Sequence, residues 1–253
     1  MAKNILLMVT GMTPQIITET VYGLAVRPAA GVSAWLPDEI QVISTQDGLT
    51  QIRDRLFDKG HFQRLIDDYQ LPAIHFDESC LYPIVDAHQQ PLADLKTPAD
   101  NENAANLICQ RVRQLTQDPE VQLHVSIAGG RKTMGFYAGY ALSLYGRAQD
   151  RMSHVLVEDR FENAPDFYYP TPVSRFVTDR NGKSWDASEA QVWLASIAFV
   201  RLRSYVPEQS LLTDAQFSDV VESINAASQP RALAVGTAQG QAWQLHPVHR
   251  APG

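Results

Sequence analysis

The sequence predicts an α/β fold: a doubly wound, mostly parallel, Rossmann-like sheet with a small C-terminal helical or winged-helix-like appendage. Strand-like and helix-like patterns alternate over roughly the first 160 residues. The strand-like segments are continuous apolar runs, which is typical of strands buried on both faces of a parallel sheet. With 253 residues, 45% of them hydrophobic, the chain can bury a large core. We expect a ligand-binding domain over residues 1–180 and the appendage over residues 181–253.

The first units of the sheet follow one another in a regular order. The run Asn4–Val9 predicts a buried strand. Thr13 and Pro14 predict the start of a helix, because threonine favours the N-cap and proline the first helical position. This helix extends to about Val26, and the next elements are a strand at Glu39–Thr45, a helix at Leu49–Tyr69 and a short strand at Ala73–Phe76.

The remaining core elements come after an irregular segment. Asp77–Asn101 interrupts the alternation and is expected to hold a small hairpin, with Pro83–Ala87 facing Pro91–Leu95. Thr97 and Pro98 then predict the start of a further helix. That helix runs to Leu115, and it is followed by a strand at Val121–Ala128, a helix at Arg131–Gly146 and a strand at Met152–Glu158.

The last third of the chain changes character. Phe167–Pro170 predicts an edge strand that ends in proline. Helices are expected at Ser188–Ser204 and Asp214–Ala227, and short strands at Arg231–Val235 and Gln241–Leu245. Two helices followed by a hairpin are compatible with a winged helix.

Charge and cysteine content limit the classes of function that the protein can have. A net charge of −7 and a pI near 5.4 argue against a protein that coats long nucleic acid, which needs a basic surface. Cys80 and Cys109 lie in no metal-ligand pattern, so we expect both to be reduced and structural. The apolar run near the N-terminus is too short for a signal peptide or a membrane span. We therefore expect a cytoplasmic protein without a membrane partner.

The strongest chemical signal is the segment Ser126–Met134, with the sequence SIAGGRKTM. A buried strand ends at Gly129 and Gly130, and a helix begins at once. Two glycines let the backbone approach a ligand closely, while the helix N-terminus and Lys132 supply positive charge. The pattern predicts a phosphate-binding turn, although it lacks the glycine spacing of a P-loop. The alternative is a tight strand-to-helix turn with an exposed Arg-Lys pair.

A second loop, TGMTPQ at residues 10–15, follows the first strand. Gly11 permits close approach of a ligand, and Thr13 and Gln15 supply hydroxyl and amide groups; the alternative is that Thr13 only caps the next helix. Both loops leave the carboxyl ends of core strands, so we expect them to converge. A third loop, Ser44–Gly48, can line the same crevice, although an ordinary turn is the simpler interpretation.

The three loops offer little to bind a metal. His124 and His154 lie in strands and are expected to be core or sheet-face residues. Asp47 is the one acidic residue that the three loops supply, whereas two-metal phosphodiesterases need several. We therefore expect no metal and no cofactor.

The loop TGMTPQ, the turn AGGRKTM and the segment DFYYP together resemble the CRISPR-associated Rossmann-fold (CARF) family and, within it, the standalone ring nucleases. The resemblance covers roughly residues 4–205. It implies a homodimer in which a cyclic oligoadenylate, most often the tetramer, lies in a pocket shared across a two-fold axis. It also implies slow, metal-independent cleavage, in which a ribose 2′-hydroxyl attacks the adjacent phosphate and leaves a 2′,3′-cyclic phosphate.

The resemblance also assigns roles to residues. Lys132 is expected to stabilise the charge on the phosphorane, and Thr13 to orient the ribose or the phosphate, so these are the two expected catalytic residues. The other expected ligand-binding residues are Thr10, Gly11, Met12, Gln15, Thr45, Gln46, Gly129, Gly130, Arg131 and Thr133.

Three other functions are alternatives to a standalone ring nuclease. Effector members of the family carry a helical ribonuclease domain with an Arg-x₄₋₆-His motif, but His246 and His249 lie too far from Arg231 to form it. A non-catalytic sensor would pass a dimer rearrangement to the appendage, yet Asp214–Ala227 is acidic and contains no Lys or Arg, which is poor for a DNA-recognition helix. A generic nucleotide-binding α/β enzyme is the third alternative.

Overall fold

A six-stranded sheet organises the computed structural model, which describes residues 2–212, 215–228, 233–235 and 243–245. The strands up to residue 204 are β1 (Lys3–Val9), β2 (Glu39–Ser44), β3 (Leu81–Pro83), β4 (Val121–Ser126), β5 (Arg151–Val157), β6 (Phe176–Thr178), β7 (Ser184–Asp186) and β8 (Val192–Ser196). The order across the main sheet is β3-β2-β1-β4-β5-β8, while β6 and β7 pair separately as an antiparallel hairpin.

The sheet extends from β1 in both directions. The chain passes from β1 to β2 and β3 on one side, and β4 and β5 lie on the other. These five strands are parallel, and β8 pairs antiparallel with β5 at the edge. The predicted doubly wound, mostly parallel α/β fold is confirmed. The crossover point lies between β1 and β4, where ligands bind in open α/β sheets.

Helices cover the sheet because its strands are apolar on both faces. Every residue of β2 is buried, and so is β1 from Ile5 onward. The helices of this part are α1 (Gln15–Val21), α2 (Gln46–Ile52), α3 (His61–Tyr69), α4 (Pro98–Gln117), α5 (Lys132–Tyr145) and α6 (Asp159–Glu162). Two π-helical turns, Tyr22–Val26 and Arg53–Asp58, extend α1 and α2, and 3₁₀ turns lie at Glu78–Cys80, Ala187–Glu189 and Arg203–Tyr205.

The helix expected at Leu49–Tyr69 is divided in two. Gly60 adopts a left-handed conformation, with φ of +67°, between the π-helical turn and α3. Glycine in this conformation ends a helix at little steric cost. The first helical segment therefore ends before Gly60, and a separate helix, α3, begins at His61.

The third strand of the sheet was predicted too early in the chain. Ala73–Phe76 forms only one bridge, between His75 and Glu39, and the strand itself is Leu81–Pro83. The hairpin expected after it is present as a short antiparallel contact, in which the Leu92 nitrogen donates to the Ile84 carbonyl at 2.8 Å. Three-residue strands are set by their neighbours more than by local sequence.

Two further predictions in the last third are wrong. Phe167–Pro170 is buried but irregular: its backbone carbonyls accept hydrogen bonds from side chains, as when the Tyr69 hydroxyl donates to Pro170 at 2.6 Å. The helix expected at Ser188–Ser204 is instead the strand β8. Val192 is buried and Trp193 is half exposed, the alternation of a strand, and pairing with the open edge of β5 overrides helix propensity.

The chain separates into two compact units, Met1–Ser204 and Tyr205–Gly253. The division falls later than the expected boundary near residue 180, because the intervening stretch supplies β8 to the sheet. The second unit contains α7 (Glu208–Leu212), α8 (Phe217–Ser228) and an antiparallel pair, β9 (Leu233–Val235) with β10 (Trp243–Leu245). The rest of the two strands predicted there lies outside the described residues. Among the described residues, no helix is both long and apolar enough to cross a membrane.

Thr97→Ala should destabilise the protein, because Thr97 caps α4. Its hydroxyl accepts from the Asp100 nitrogen at 3.1 Å, and the Asp100 carboxylate accepts from the Thr97 nitrogen at 2.9 Å, which completes a capping box. Loss of such a cap costs about 1 kcal/mol of unfolding free energy, measurable by urea titration. Thr50→Ala is the matched control: its hydroxyl only bonds the Gln46 carbonyl within α2, at 3.0 Å, so that variant should be neutral or slightly more stable. Equal effects would contradict the role of the cap.

Candidate ligand-binding site

The two glycine-containing loops meet at the crossover point between β1 and β4. A Cβ atom on Gly11 would lie 3.1 Å from the Cα of Gly130 and 3.3 Å from its nitrogen. Contacts this short are tighter than most real Cβ contacts, so the absence of a side chain on Gly11 favours this close approach of the backbones. The predicted convergence of the two loops is confirmed.

The turn after β4 also depends on glycine. Gly129 and Gly130 have φ of +94° and +74°, a region that residues with a Cβ atom rarely adopt. A Cβ on Gly129 would lie 2.4 Å from Cδ1 of Ile16. The chain can therefore pass directly from β4 into α5, which begins at Lys132 and has no capping side chain. The partial positive charge of this helix terminus is left available to an anion.

These loops line a cleft of about 580 Å³, here called the central cleft. Residues at the start of α2 and residues of the segment that follows the hairpin also line it. Most of the residues expected to bind ligand line it: Thr10, Gly11, Met12, Thr13, Thr45, Gly129, Gly130 and Arg131.

The hydroxyl groups of the central cleft differ in how far they are already engaged. Thr13 does not cap α1, because the N-cap residue is Pro14 and no side chain bonds there. The interpretation of Thr13 as only a helix cap is thus wrong. Thr45 caps α2, where its Oγ1 accepts from the Gly48 nitrogen at 3.4 Å. Oγ1 of Thr10 is buried without a hydrogen-bond partner among the described residues.

The central cleft is more acidic than the sequence indicated. Asp94 and Lys96, from the segment after the hairpin, line it together with Asp47, so Asp47 is not the lone acid. Asp94 forms an ion pair with Arg131, whose Nε donates to Oδ1 at 3.1 Å. The hydrogen bond from Arg131 holds the pKa of Asp94 below its usual value. An anion that binds Arg131 must therefore compete with this carboxylate.

A second cleft, of about 630 Å³, shares Met12, Thr13 and Gly129 with the central cleft. It is here called the flanking cleft. Gln15 lines it, and the Nε2 of Gln15 donates to the Pro165 carbonyl at 2.8 Å. His154, expected to be a core or sheet-face residue, also lines it.

The other expected residues lie outside both clefts. Lys132 is exposed and lines a shallow depression with Phe136, His154 and Ile197; Gly129 and Arg131 border both this depression and the central cleft. The Gln46 nitrogen donates to the Leu92 carbonyl at 2.8 Å, which ties the hairpin to the start of α2. Thr133 is exposed in the first turn of α5.

Sequence reasoning missed Glu19, which lines the flanking cleft and is only 6% exposed. Burial raises the pKa of its carboxyl group to about 8, with a smaller contribution from Glu162. At neutral pH Glu19 is therefore largely protonated and can donate a hydrogen bond into the cleft. The only sign of this in the sequence was a glutamate within a helix that is otherwise apolar and rich in threonine.

Sequence comparison finds a match between the chain and a CRISPR-associated protein family. The profile of the CRISPR-associated protein NE0113 family (Cas_NE0113) matches residues 13–229. A search of curated protein sequences finds no match.

Two solved structures match part of this chain. Csm6 from Enterococcus italicus, bound to cyclic hexa-2′-fluoro-hexa-dAMP, is 12% identical, with a TM-score of 0.40, and the match covers 61% of this chain and 34% of that one. Can2 from Sulfobacillus thermosulfidooxidans, in complex with cyclic tetra-adenylate, is 12% identical, with a TM-score of 0.31, and the match covers 72% and 36%. The chain spans about a third of the length of these two proteins. Likenesses of this size assign no activity.

Glu19→Gln should gain stability relative to the parent protein as the pH rises. The folded protein keeps the Glu19 proton up to a pKa of about 8, whereas the carboxyl group of the unfolded chain ionises near 4.5. The native state thus binds the extra proton between these values, and ionisation of the unfolded state erodes stability there. Glutamine abolishes this penalty, which is on the order of a few kcal/mol. Urea unfolding at about pH 5 and about pH 8 measures it. Glu102→Gln, at an exposed position on α4, should show no such trend; a pH-independent difference for Glu19→Gln would contradict the assignment.

Proposed function

The chain belongs to the CRISPR-associated protein NE0113 family, and we propose that it is a cytoplasmic homodimer that binds a cyclic oligoadenylate and cleaves it slowly without a metal. Membership confirms that the chain is a CRISPR-associated protein, as its loop sequences indicated. The proposed ligand is the cyclic tetra-adenylate.

The observation that carries the proposal is the contact between the two glycine-containing loops at the crossover point. The close approach of Gly11 and Gly130 brings an exposed backbone, the start of α5 and Arg131 to one edge of the sheet. Backbone amides and a helix N-terminus favour phosphate groups. The central cleft and the depression around Lys132 meet at Gly129 and Arg131, so one ring can reach both.

A dimer is proposed because a cyclic ligand has rotational symmetry. A two-fold interface offers the same loops from each subunit and so matches such a ring. Exposed apolar side chains near this edge support it: Phe136 is 62% exposed, and the cross-strand pair Leu156 and Trp193 are 47% and 49% exposed. Exposed apolar side chains that form a patch often mark a surface that contacts another protein.

The proposed reaction uses the ligand's own nucleophile. A ribose 2′-oxygen loses its proton and attacks the adjacent phosphorus, and the bond from phosphorus to the 5′-oxygen breaks as that oxygen gains a proton. Lys132 stabilises the negative charge that builds on the phosphorane, and Thr13 orients the reacting ribose. The described residues of the central cleft include no histidine, and aspartates such as Asp47 and Asp94 are ordinarily weak bases at neutral pH, so proton removal is poorly assisted and turnover is slow.

Cyclic tetra-adenylate should be cleaved in excess EDTA to linear products that end in a 2′,3′-cyclic phosphate. Rings with 2′-deoxy or 2′-fluoro groups should bind but remain intact, because the nucleophile is absent. Chromatography follows cleavage, and calorimetry of the modified ring should give one ring per two chains. Cleavage of the modified ring, or a strict need for Mg²⁺ or Mn²⁺, would overturn the mechanism. Binding without cleavage of the natural ring would leave a non-catalytic sensor, and no binding would refute the proposal.

Lys132→Ala should slow cleavage about 10²–10³-fold, because a charge directed at the transition state is lost. Affinity for the uncleavable ring should change little, since the backbone of the Gly129–Arg131 turn still binds phosphate. Single-turnover rates and calorimetry separate the two effects. Lys59→Ala, the same exchange at an exposed lysine that lines neither cleft, should change neither quantity. An equal loss of rate and affinity would make Lys132 a binding residue only.

A further inference from the structure

Three side chains that can bind a metal converge where β2 and β3 begin, at the end of these strands away from the two clefts. Glu39 is the first residue of β2, His75 bridges to it, and Cys80 directly precedes β3. The Oε2 atom of Glu39 lies 3.5 Å from Nδ1 of His75, and this nitrogen lies 3.9 Å from Sγ of Cys80. All three ligand atoms are within 4.8 Å of one another.

These distances fit the edges of a tetrahedral zinc site. Zinc bonds to nitrogen and oxygen are about 2.0 Å long and those to sulfur about 2.3 Å. Tetrahedral angles then separate a nitrogen from an oxygen ligand by about 3.3 Å, and a nitrogen from a sulfur ligand by about 3.6 Å. The two separations that involve Nδ1 of His75 need to contract by only a few tenths of an ångström. The donor set, one carboxylate, one imidazole and one thiol, is also one that zinc accepts.

The histidine is oriented by a carboxylate on its other side. The Nε2 of His75 lies 3.3 Å from Oδ2 of Asp77. Asp77 is itself held by Ser79, whose nitrogen and hydroxyl donate to Oδ1 at 2.8 Å and 2.6 Å. A proton on Nε2 that bonds Asp77 leaves Nδ1 free to coordinate a metal on the side of Glu39, while Sγ of Cys80 lies at nearly the same distance from both ring nitrogens, 3.9 Å and 4.0 Å. A carboxylate behind a metal-binding histidine is the usual arrangement in protein metal sites.

A cation already occupies part of this position. The Lys3 Nζ donates to Oε2 of Glu39 at 2.6 Å, and Gln41 donates to the other carboxylate oxygen. Glu39 and Cys80 are 8% and 1% exposed, whereas the Lys3 side chain is half exposed and can rotate into solvent. The alternative is an ordinary ion pair in which His75, doubly protonated, bridges Glu39 and Asp77.

We propose that Glu39, His75 and Cys80 bind one Zn²⁺ ion, with a water molecule at the fourth position. On binding, the Cys80 thiol releases its proton to solvent and coordinates as a thiolate, and Lys3 withdraws from Glu39. The ion links the segment before β3 to the start of β2, far along the strands from both clefts. The site is therefore independent of the proposed ring cleavage, and it holds this edge of the sheet together.

The test uses the full chain, freed of tags and stripped of metal with a chelator. Calorimetric titration with Zn²⁺ should give one ion per chain, and Co²⁺ should produce the near-ultraviolet band of a thiolate ligand. Cys80→Ser should remove the band and weaken binding. Cys109→Ser is the matched control, because Cys109 is an equally buried free cysteine, on α4, outside this group; it should retain both.

Two surface variants distinguish the metal site from an ion pair and do not disturb the core. Asp77→Asn should weaken Zn²⁺ binding about 10–100-fold, the usual loss when a supporting carboxylate is removed. Lys3→Met should tighten it, because the competing ammonium group is gone. No bound ion, or an affinity unchanged by both Cys80→Ser and Asp77→Asn, would overturn the proposal. If Cys80→Ser does not fold, the opposite shifts of Asp77→Asn and Lys3→Met still decide it.

Discussion

At the crossover point of the sheet, the backbone of the loop after β1 lies against the backbone of the turn after β4. A Cβ on Gly11 would come within 3.1 Å of Gly130, so a larger residue would push the two backbones apart by a few tenths of an ångström. The rest of the candidate site is built around it: the turn leads straight into α5, Met12 and Thr13 line both clefts, and Arg131 pairs with Asp94. Gly48 continues the same packing on the other side, since a Cβ there would lie 2.7 Å from the Gly11 carbonyl oxygen. The Ser44 hydroxyl, which donates to the Thr10 carbonyl at 2.8 Å, links the end of β2 to this junction.

Elements with a strong local signal could be predicted from the sequence, and elements defined by their neighbours could not. The long apolar strands β1, β2, β4 and β5 and the capped helix α4 form where their patterns placed them. β8 was mistaken for a helix, because its five residues become a strand only by pairing with β5. The buried segment 167–170 has strand-like residues, yet its backbone bonds to side chains of α1 and α3 instead of to a strand.

The same distinction applies to the candidate site. Glycine, threonine and lysine residues after two strands predict a binding site, because the topology of a parallel sheet brings the carboxyl ends of its strands together. Asp94 and Lys96 were not anticipated, because they reach the central cleft through the path of an irregular segment. The raised pKa of Glu19 was equally hidden, because it results from burial by distant parts of the chain. The zinc ligands Glu39, His75 and Cys80 have no recognisable spacing and meet only because β2 and β3 are neighbours.

The ion pair between Arg131 and Asp94 has a consequence for how ionic strength acts on the central cleft. A phosphate that binds Arg131 replaces a carboxylate of the protein, whereas on an ordinary basic surface it would displace mobile counterions. Fewer ions are released to the solvent in such an exchange, so affinity falls less steeply as salt is added. The pair also screens the guanidinium from unrelated anions, which must displace Asp94 without the compensating contacts of the glycine loops. If the proposed function holds, the pairing of Arg131 with Asp94 favours a polyanion that also contacts the glycine loops over a single free phosphate.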